Sequence, residues 1–405
     1  MIKDNEKIGF WTFVFLWFGA AVSIAEIMTG GLIAPLGFKI GLIVILLGHL
    51  IGTGILILGG IIGTREKVPS ITSTSISFGV YGSYLFSILN ILQLIGWTAV
   101  MIQSAANSVN TITQSLWSFN NVLVCTMFIG ILTMLWLYFG KAGMKKLNIT
   151  AVSLLFILTL VLGTIVLKDK TLLTKASSDG MSFGGALELS IIMPLSWLPL
   201  IADYTRFAKS EKGGAYGSFI GYFLGSSWMY IIGLAAAIVS NNAEPSAMML
   251  AANLGITALG IVILSTVTTT FLDVYSAGVS FLNIMPKFSE KRVGIIMTVI
   301  GTLAAIILPI ENYQSFLYAI GSVFAPLFAI LITDYFIIKK NTKLNSSVLV
   351  NFGAVIVWII GIVTYYSFIK MDLILGATVP VMIITGFIYT ISWRVTSKWK
   401  LIRKS

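Results

Sequence analysis

Apolar runs of 18 or more residues follow one another along this chain, separated by short clusters of glycine, proline, asparagine and charged residues. Each run is long enough to cross the hydrocarbon core of a bilayer as a helix, which takes about 20 residues. Twelve spans are expected, at 10–34, 38–62, 83–112, 121–140, 149–167, 185–206, 214–240, 252–282, 292–310, 313–338, 348–368 and 372–396. In hydrocarbon every backbone polar group needs an internal partner, so these runs read as helices rather than open strands. The expected class is an all-α polytopic membrane protein of about twelve transmembrane helices, with 1–405 forming one domain.

Composition agrees. Hydrophobic residues make up 57% and charged residues 10%, too few to coat a soluble surface of this size. Mean hydropathy is +0.96. The net charge of +11 would suit a nucleic-acid partner, but its distribution argues for topology instead. With the N-terminus inside, cytoplasmic segments hold 21 of the 26 Lys and Arg residues. They include Lys3, Lys7, Arg65, Lys67, Lys141, Lys145, Lys146, Lys209, Lys212, the stretch from Lys287 to Arg292, the stretch from Lys339 to Lys343 and the tail from Arg394 to Lys404. The outer loops hold Lys39, Lys168, Lys170, Lys175 and Lys370. This asymmetry predicts a multi-pass protein of the cytoplasmic (inner) membrane with both termini in the cytoplasm. The first apolar run has no small-residue cleavage site after it and is read as a retained span.

Several chemistries are missing from the sequence. The single cysteine, Cys125, precludes an internal disulfide and reads as packing. The single histidine, His49, lies mid-span in the second helix, where a structural role weighs above that of a proton carrier. No His/Cys cluster with metal-ligand spacing, HExxH, GxSxG or GxxxxGK[ST] occurs. An enzyme or a nucleotide-driven pump has no visible machinery.

Two spans are built to break. Span 1 contains "GAAVSIAEIMTGG" (19–31), with Glu26 between two groups of glycines. Span 6 contains "IIMPLSWLPLIADYTRF" (191–207), in which Pro194 and Pro199 each remove a helix donor and clash with the preceding turn. The two lie five spans apart in chain order, so they run in opposite senses through the membrane. Interrupted helices at corresponding places in two inverted halves point to a transport site at the midplane. On that reading 10–167 is a first inverted repeat, 185–338 a second, and 348–396 holds two additional helices.

The strings "SFGVYGSYL" (77–85), "QLIGW" (93–97), "ADYTRF" (202–207) and "ITDYFIIKK" (332–340), with "MTGG" (28–31), resemble the nucleobase:cation symporter-1 family of cytosine, purine and hydantoin permeases. The resemblance spans nearly the whole chain. It implies the leucine-transporter fold, with two inverted five-helix repeats and with helices 1 and 6 broken. Within the family the chain is most similar to the branch of permeases for hydroxymethylpyrimidine, a thiamine precursor. The resemblance also implies a Na⁺ site made of span 1 carbonyls near Gly19 and Val22 and the adjacent hydroxyls of Thr268 and Thr269 in "STVTTTFLDVYSAGV" (265–279). Hard oxygen ligands suit such an ion. The competing reading is that these threonines hydrogen-bond back to their own helix.

The expected substrate site departs from the cytosine-permease pattern. Gln93 lies four residues before Trp97 rather than three, Thr270 stands where an asparagine is usual, and Ser196 and Trp197 sit between the two prolines. Two mid-span tryptophans, Trp97 and Trp197, offer flat faces to a heteroaromatic ring, a stacking worth about 1–3 kcal/mol per ring. A carboxylate in hydrocarbon is costly and functional by default. Glu26 fits the amino group and ring nitrogen of a 4-aminopyrimidine and disfavours an oxo edge. The alternatives for Glu26 are a structural hydrogen bond and a coupling proton. Asp273 is a second intramembrane acid, placed to meet a hydroxymethyl group or a structural partner. Asp203 and Arg206, spaced i, i+3, read as an ion pair, and Asp334 reads similarly. The expected function is Na⁺-driven import of an aminopyrimidine, with a cytosine or other nucleobase permease, proton-coupled, as the alternative. A membrane receptor on the same scaffold is disfavoured by the lack of an output module, and no obligate protein partner or nucleic acid is expected.

Overall fold

The computed structural model describes residues 7–139, 141–174, 180–242, 255–308, 313–338, 347–396 and 398–402. Lys3, Lys175, Lys339, Lys340, Lys343 and Lys404 of the charge pattern lie outside them. Helices occupy every expected span. Span 1 is the pair α1 (Phe10–Ala21) and α2 (Ile24–Leu32), bent by 59° at Val22–Ser23. Span 2 is α3 (Gly37–Glu66). Two short helices, α4 (Ser70–Ser73) and α5 (Ser75–Phe78), lead into α6 (Val80–Trp117). Spans 4 and 5 are α7 (Val122–Phe139) and α8 (Lys141–Val166), followed by a single turn, α9 (Thr171–Thr174). Span 6 comprises α10 (Phe183–Leu195) and α11 (Leu198–Thr205). Spans 7 to 10 are α12 (Glu211–Ser240), α13 (Gly255–Ile284), α14 (Glu290–Ile307) and α15 (Tyr313–Ile332), the last continuing into a π-turn at Thr333–Ile338. Two further helices follow, α16 (Phe352–Met371) and α17 (Thr378–Thr396). Among the described residues, seven helices and the bent α1–α2 pair are long and apolar enough to cross a membrane, and Val122–Tyr138 and Val152–Val166 are shorter apolar helices.

The structure corrects one local boundary. Residues 348–351 do not begin span 11. They form a strand, β1 (Val348–Asn351), paired antiparallel with β2 (Lys400–Ile402). The run Val348–Leu349–Val350 favours an extended backbone. Asn351 then caps α16 by accepting from the Ala354 N–H, while its own amide donates to Ser77 O at 2.7 Å. Span 6 is interrupted as expected, and the interruption leaves it straight enough for Phe183–Thr205 to pass as one 23-residue span. Pro194 sits inside the last turn of α10, and Pro199 lies in the first turn of α11, where a missing N–H costs least. The interruption falls between them, at Ser196–Trp197, and tight turns bridge it. Ser196 N–H donates to Ile192 O (2.8 Å) and Trp197 N–H to Pro194 O (3.2 Å).

Glycine decides which spans touch. Membrane helices lack a hydrophobic drive toward each other and approach through small residues. On α12, a Cβ at Gly221 would lie 2.2 Å from Val14 O, and one at Gly233 would lie 1.9 Å from Ile27 O. Backbone therefore lies on backbone along both halves of span 1. On α3, Gly48 and Gly52 press in the same way on α10, with Ser190 and Ile191 as their neighbours. So α1 and α2 pack on α12, α10 and α11 pack on α3, and α3 and α12 pack on each other.

A buried acid ties in the last two spans. Glu188 of α10 accepts from Tyr365 Oη (2.7 Å), Thr378 Oγ1 (2.6 Å), Ala377 N (2.7 Å) and Thr378 N (2.8 Å). The carboxylate thus caps α17 from another span, where the helix N-terminus favours an anion. Gly376 (φ +67°) makes the turn, and a Cβ there would meet the Glu188 carboxylate at 2.5 Å.

Gly233→Ala is expected to lower thermal stability in detergent by about 1–3 kcal/mol, because the methyl meets backbone that cannot give. Gly54→Ala, with nothing within 4 Å, should unfold like the parent protein.

Candidate functional site

The bend in span 1 frees backbone groups. Val22 N–H still donates to Phe18 O, but Ser23 N–H turns to Ala21 O at 2.9 Å. Gly19 O thereby loses the donor that a continuous helix would give it. Val22 (ψ 82°) and Ser23 (φ −139°, ψ 160°) are both out of helical geometry. After them α2 starts, with Glu26 in its first turn as the sequence suggested.

Beside this bend lies a cavity with about 390 Å³ of empty space, walled by spans 1, 3, 6 and 8. Its wall includes Ser23 and Glu26 of α2's start, Trp97 of α6, Ser196 and Trp197 of the span 6 turn, and Thr269 and Asp273 of α13. Five of the seven residues singled out for substrate therefore converge on one space: Glu26, Trp97, Ser196, Trp197 and Asp273.

The two tryptophans are held from behind. Trp197 packs edge to face on Trp17 (5.7 Å between centroids) and at 6.3 Å from Tyr222. Trp97 packs in the same manner on Phe316 (5.5 Å) and Tyr313 (6.1 Å). Gln93 and Thr270 do not join the wall. The Gln93 amide donates to Asn90 Oδ1 and to Ser196 O, both at 3.1 Å, so it braces the span 6 turn. Those two acceptors fix the orientation of the amide and leave its Oε1 buried without a partner among the described residues. Thr270 Oγ1 donates to Thr266 O at 2.7 Å, the local back-bond open to any helical threonine.

Of the residues singled out for a cation, Thr269 is the informative one. Its hydroxyl is buried, lines the cavity and has no hydrogen-bond partner among the described residues. Its neighbour Thr270 shows that the back-bond was available. Gly19 and Val22 flank the bend without lining the cavity, and the side chain of Thr268 lies outside the described residues.

Glu26 is 2% exposed, and α12 supplies its partners. Tyr222 Oη donates to Oε1 at 2.8 Å, and Ser226 Oγ lies 2.7 Å from Oε2. His49 of α3 completes the group, with Nε2 2.6 Å from Ser226 Oγ and Nδ1 2.8 Å from Ile45 O. Ser218, Tyr222, Ser226 and Tyr230 recur every four residues along this span, and that stripe is the signal by which the sequence could have exposed them. Asp273, by contrast, receives no hydrogen bond from the described residues.

The expected Asp203–Arg206 ion pair does not form. Arg206 Nε donates to the Asp203 backbone carbonyl (3.1 Å) and its guanidinium lies over the Phe207 ring. The Asp203 carboxylate accepts instead from Ser70 N (3.1 Å), while Ser70 Oγ accepts from Ala202 N (2.7 Å). Asp334 likewise accepts from Ser77 Oγ at 2.8 Å. The two acidic motifs after spans 6 and 10 thus hold α4 and α5, the linker between spans 2 and 3. Cys125 is buried and free, in keeping with a packing role.

The sequence profile of a family described as permease for cytosine/purines, uracil, thiamine, allantoin matches residues 3–395. The cytosine permease of Escherichia coli (strain K12) is 26% identical over 322 residues, covering 76% of this chain and 74% of that protein. Among solved structures, Mhp1, a nucleobase-cation-symport-1 family transporter in a closed conformation with bromovinylhydantoin bound, superimposes with a TM-score of 0.83 at 19% identity. That match covers 99% of this chain and 95% of Mhp1. A Na⁺-coupled sialic acid symporter matches with a TM-score of 0.69 at 15% identity, over 99% of this chain and 92% of that one. These likenesses bear out the leucine-transporter fold.

Tyr222→Phe leaves Glu26 Oε1 without its donor and is expected to cost about 1–3 kcal/mol of stability, read as a lower unfolding temperature in detergent. Tyr216→Phe, on the same helix but exposed, is the control and should change nothing.

Proposed function

The chain belongs to the family of permeases for cytosine/purines, uracil, thiamine and allantoin, and from that footing we propose that it imports a 4-aminopyrimidine by cation symport. It is a multi-pass membrane transporter and not an enzyme. The observation that carries the substrate reading is the cavity itself, where two braced tryptophans and two carboxyl side chains, Glu26 and Asp273, share one wall with the bend of span 1.

On this reading the ring stacks between Trp97 and Trp197, and Glu26 accepts from the 4-amino group. Asp273, which lacks a described hydrogen-bond donor, accepts from a 5-hydroxymethyl group. That combination favours hydroxymethylpyrimidine. The similarity to the Escherichia coli cytosine permease favours a second reading, cytosine or another nucleobase with proton coupling. Cytosine also carries a 4-amino group but has no 5-hydroxymethyl group to donate to Asp273.

Na⁺ is the proposed coupling ion, held by Thr269 and Thr268 of α13 and by carbonyls of Gly19 and Val22. The unpartnered Thr269 hydroxyl and the freed Gly19 carbonyl support it. The proposed topology keeps both termini in the cytoplasm of a cell whose inner membrane holds the protein. The proposed repeats are 10–167 and 185–338. Exchanging the repeats turns the pairing of span 1 with span 7 into that of span 6 with span 2, and both pairs are close-packed through glycine.

Uptake of labelled hydroxymethylpyrimidine, cytosine and uracil into proteoliposomes under an imposed Na⁺ gradient tests the reading. Hydroxymethylpyrimidine is expected to accumulate, cytosine less and uracil least. Accumulation that ignores the Na⁺ gradient would remove Na⁺ as coupling ion. Thr269→Val keeps shape but removes an oxygen ligand, and its substrate affinity should no longer respond to Na⁺. Glu26→Gln should weaken 4-aminopyrimidine binding by about 1.5–3 kcal/mol, ten- to a hundredfold, and leave oxo-pyrimidine binding nearly unchanged. Equal losses for both in a binding titration would make Glu26 structural.

A further inference from the structure

The hydrogen-bond arithmetic around Glu26 does not close with an ionised carboxylate and a neutral imidazole. Ile45 O can only accept, so His49 Nδ1, 2.8 Å away, carries a hydrogen. In a neutral ring Nε2 is then a bare acceptor. Ser226 Oγ stands 2.6 Å from that Nε2 and 2.7 Å from Glu26 Oε2. Both separations are hydrogen-bond distances. Ser226 has one hydrogen to give, and two acceptors face it. The second contact therefore requires one further proton, on Nε2 or on Oε2.

We propose that Glu26, Ser226 and His49 form a proton-binding site that holds one proton and moves it between the carboxyl at the cavity wall and the imidazole behind it. With the proton on His49, Nε2–H donates to Ser226 Oγ and Ser226 donates to Glu26 Oε2. In the transfer the Nε2–H bond breaks as a new O–H forms on Ser226, whose original hydrogen passes to Oε2. The product is a neutral imidazole, an intact serine and a carboxylic acid. The triad's total charge is zero before and after, which suits a site deep in a membrane.

Glu26 alone of the three lines the cavity, and Ser226 and His49 are fully buried. The proton therefore enters and leaves through the space that takes the substrate, and it is cargo beside Na⁺. This last step rests on the transport reading above. The other titratable groups that face the triad are neutral donors or acids: Tyr222 and Tyr230 from α12, Tyr313 from α15, and Asp273 across the cavity on α13. Glu188 on α10 is engaged by α16 and α17. No described Lys or Arg is hydrogen-bonded to the triad to supply a fixed countercharge, so the proton supplies it.

The lone histidine makes the first measurement free of assignment. In full-length protein labelled with ¹⁵N-histidine, the only imidazole signal should show Nδ1 protonated, either as the imidazolium or as the Nδ1–H tautomer. The Nε2–H neutral tautomer would overturn the proposal. The second measurement is hydroxymethylpyrimidine accumulation with Na⁺ equal on both sides, with and without an inward proton gradient. Each variant is expressed as its own ratio, which removes differences in folding or yield. One proton per substrate gives a ratio rising toward about tenfold per pH unit in the parent protein. Ser226→Ala and His49→Gln should give a ratio of one. A parent ratio of one, or a Ser226→Ala ratio equal to the parent's, would sink the coupling role. If no preparation takes up any pyrimidine, the transport reading fails, while the histidine signal still decides whether Nδ1 carries the hydrogen on which the proton count rests.

Discussion

Backbone lying directly on backbone is the constraint from which the rest of the architecture follows. A helix that bends at mid-membrane loses hydrogen bonds where water cannot replace them. It is tolerated only if a straight neighbour comes close enough to hold both halves. The glycines of α12 allow that approach to α1 and α2, and those of α3 allow it to α10 and α11. A side chain at Gly221 or Gly233 would push span 1 outward, and Tyr222 and Ser226 would no longer reach Glu26. The order of dependence runs from small residues to close approach, from close approach to a fixed bend, and from the bend to the cavity.

Within this frame the buried acids divide by their partners. Glu188 has four donors, Glu26 two, and Asp203 and Asp334 each accept from the α4–α5 linker. These carboxyl groups stitch one span to another. Asp273 sits on the cavity wall without a described donor. An intramembrane acid left open in this way is held for something that comes and goes. The hydroxyl of Thr269 stands in the same position, buried on the wall without a described partner.

Much of this was legible in the sequence. Hydropathy gave the spans, the Gly and Pro clusters gave the two interruptions, and a mid-span acid beside mid-span tryptophans marked the wall of the cavity. What escaped was partnership. Glu26 announces itself, but its donors lie about 200 residues away, and nothing local says which face of α12 turns toward it. The i, i+3 spacing of Asp203 and Arg206 suggested an ion pair, yet a linker N–H and an aromatic face competed better for the two groups. Two prolines suggested an interruption in span 6, and the chain breaks between them at Ser196–Trp197. Period and composition report what a segment is, whereas long-range pairing depends on which small residues let two segments meet.

The four-donor grip on Glu188 bears on how this molecule is divided mechanically. It fastens α10 to the junction of α16 and α17, and α15 also packs on α17 and on α10. Separating α10, α16 or α17 would strip a carboxylate of donors inside the membrane, so these three behave as one block, with α15 packed against it. A change in which side of the cavity is open must leave that block whole. The chain leaves that block at the two-residue turn Ser196–Trp197, just past the end of α10. One wall of the cavity is thus also the edge of the block, and on the proposed reading a guest on Trp197 rests against that edge.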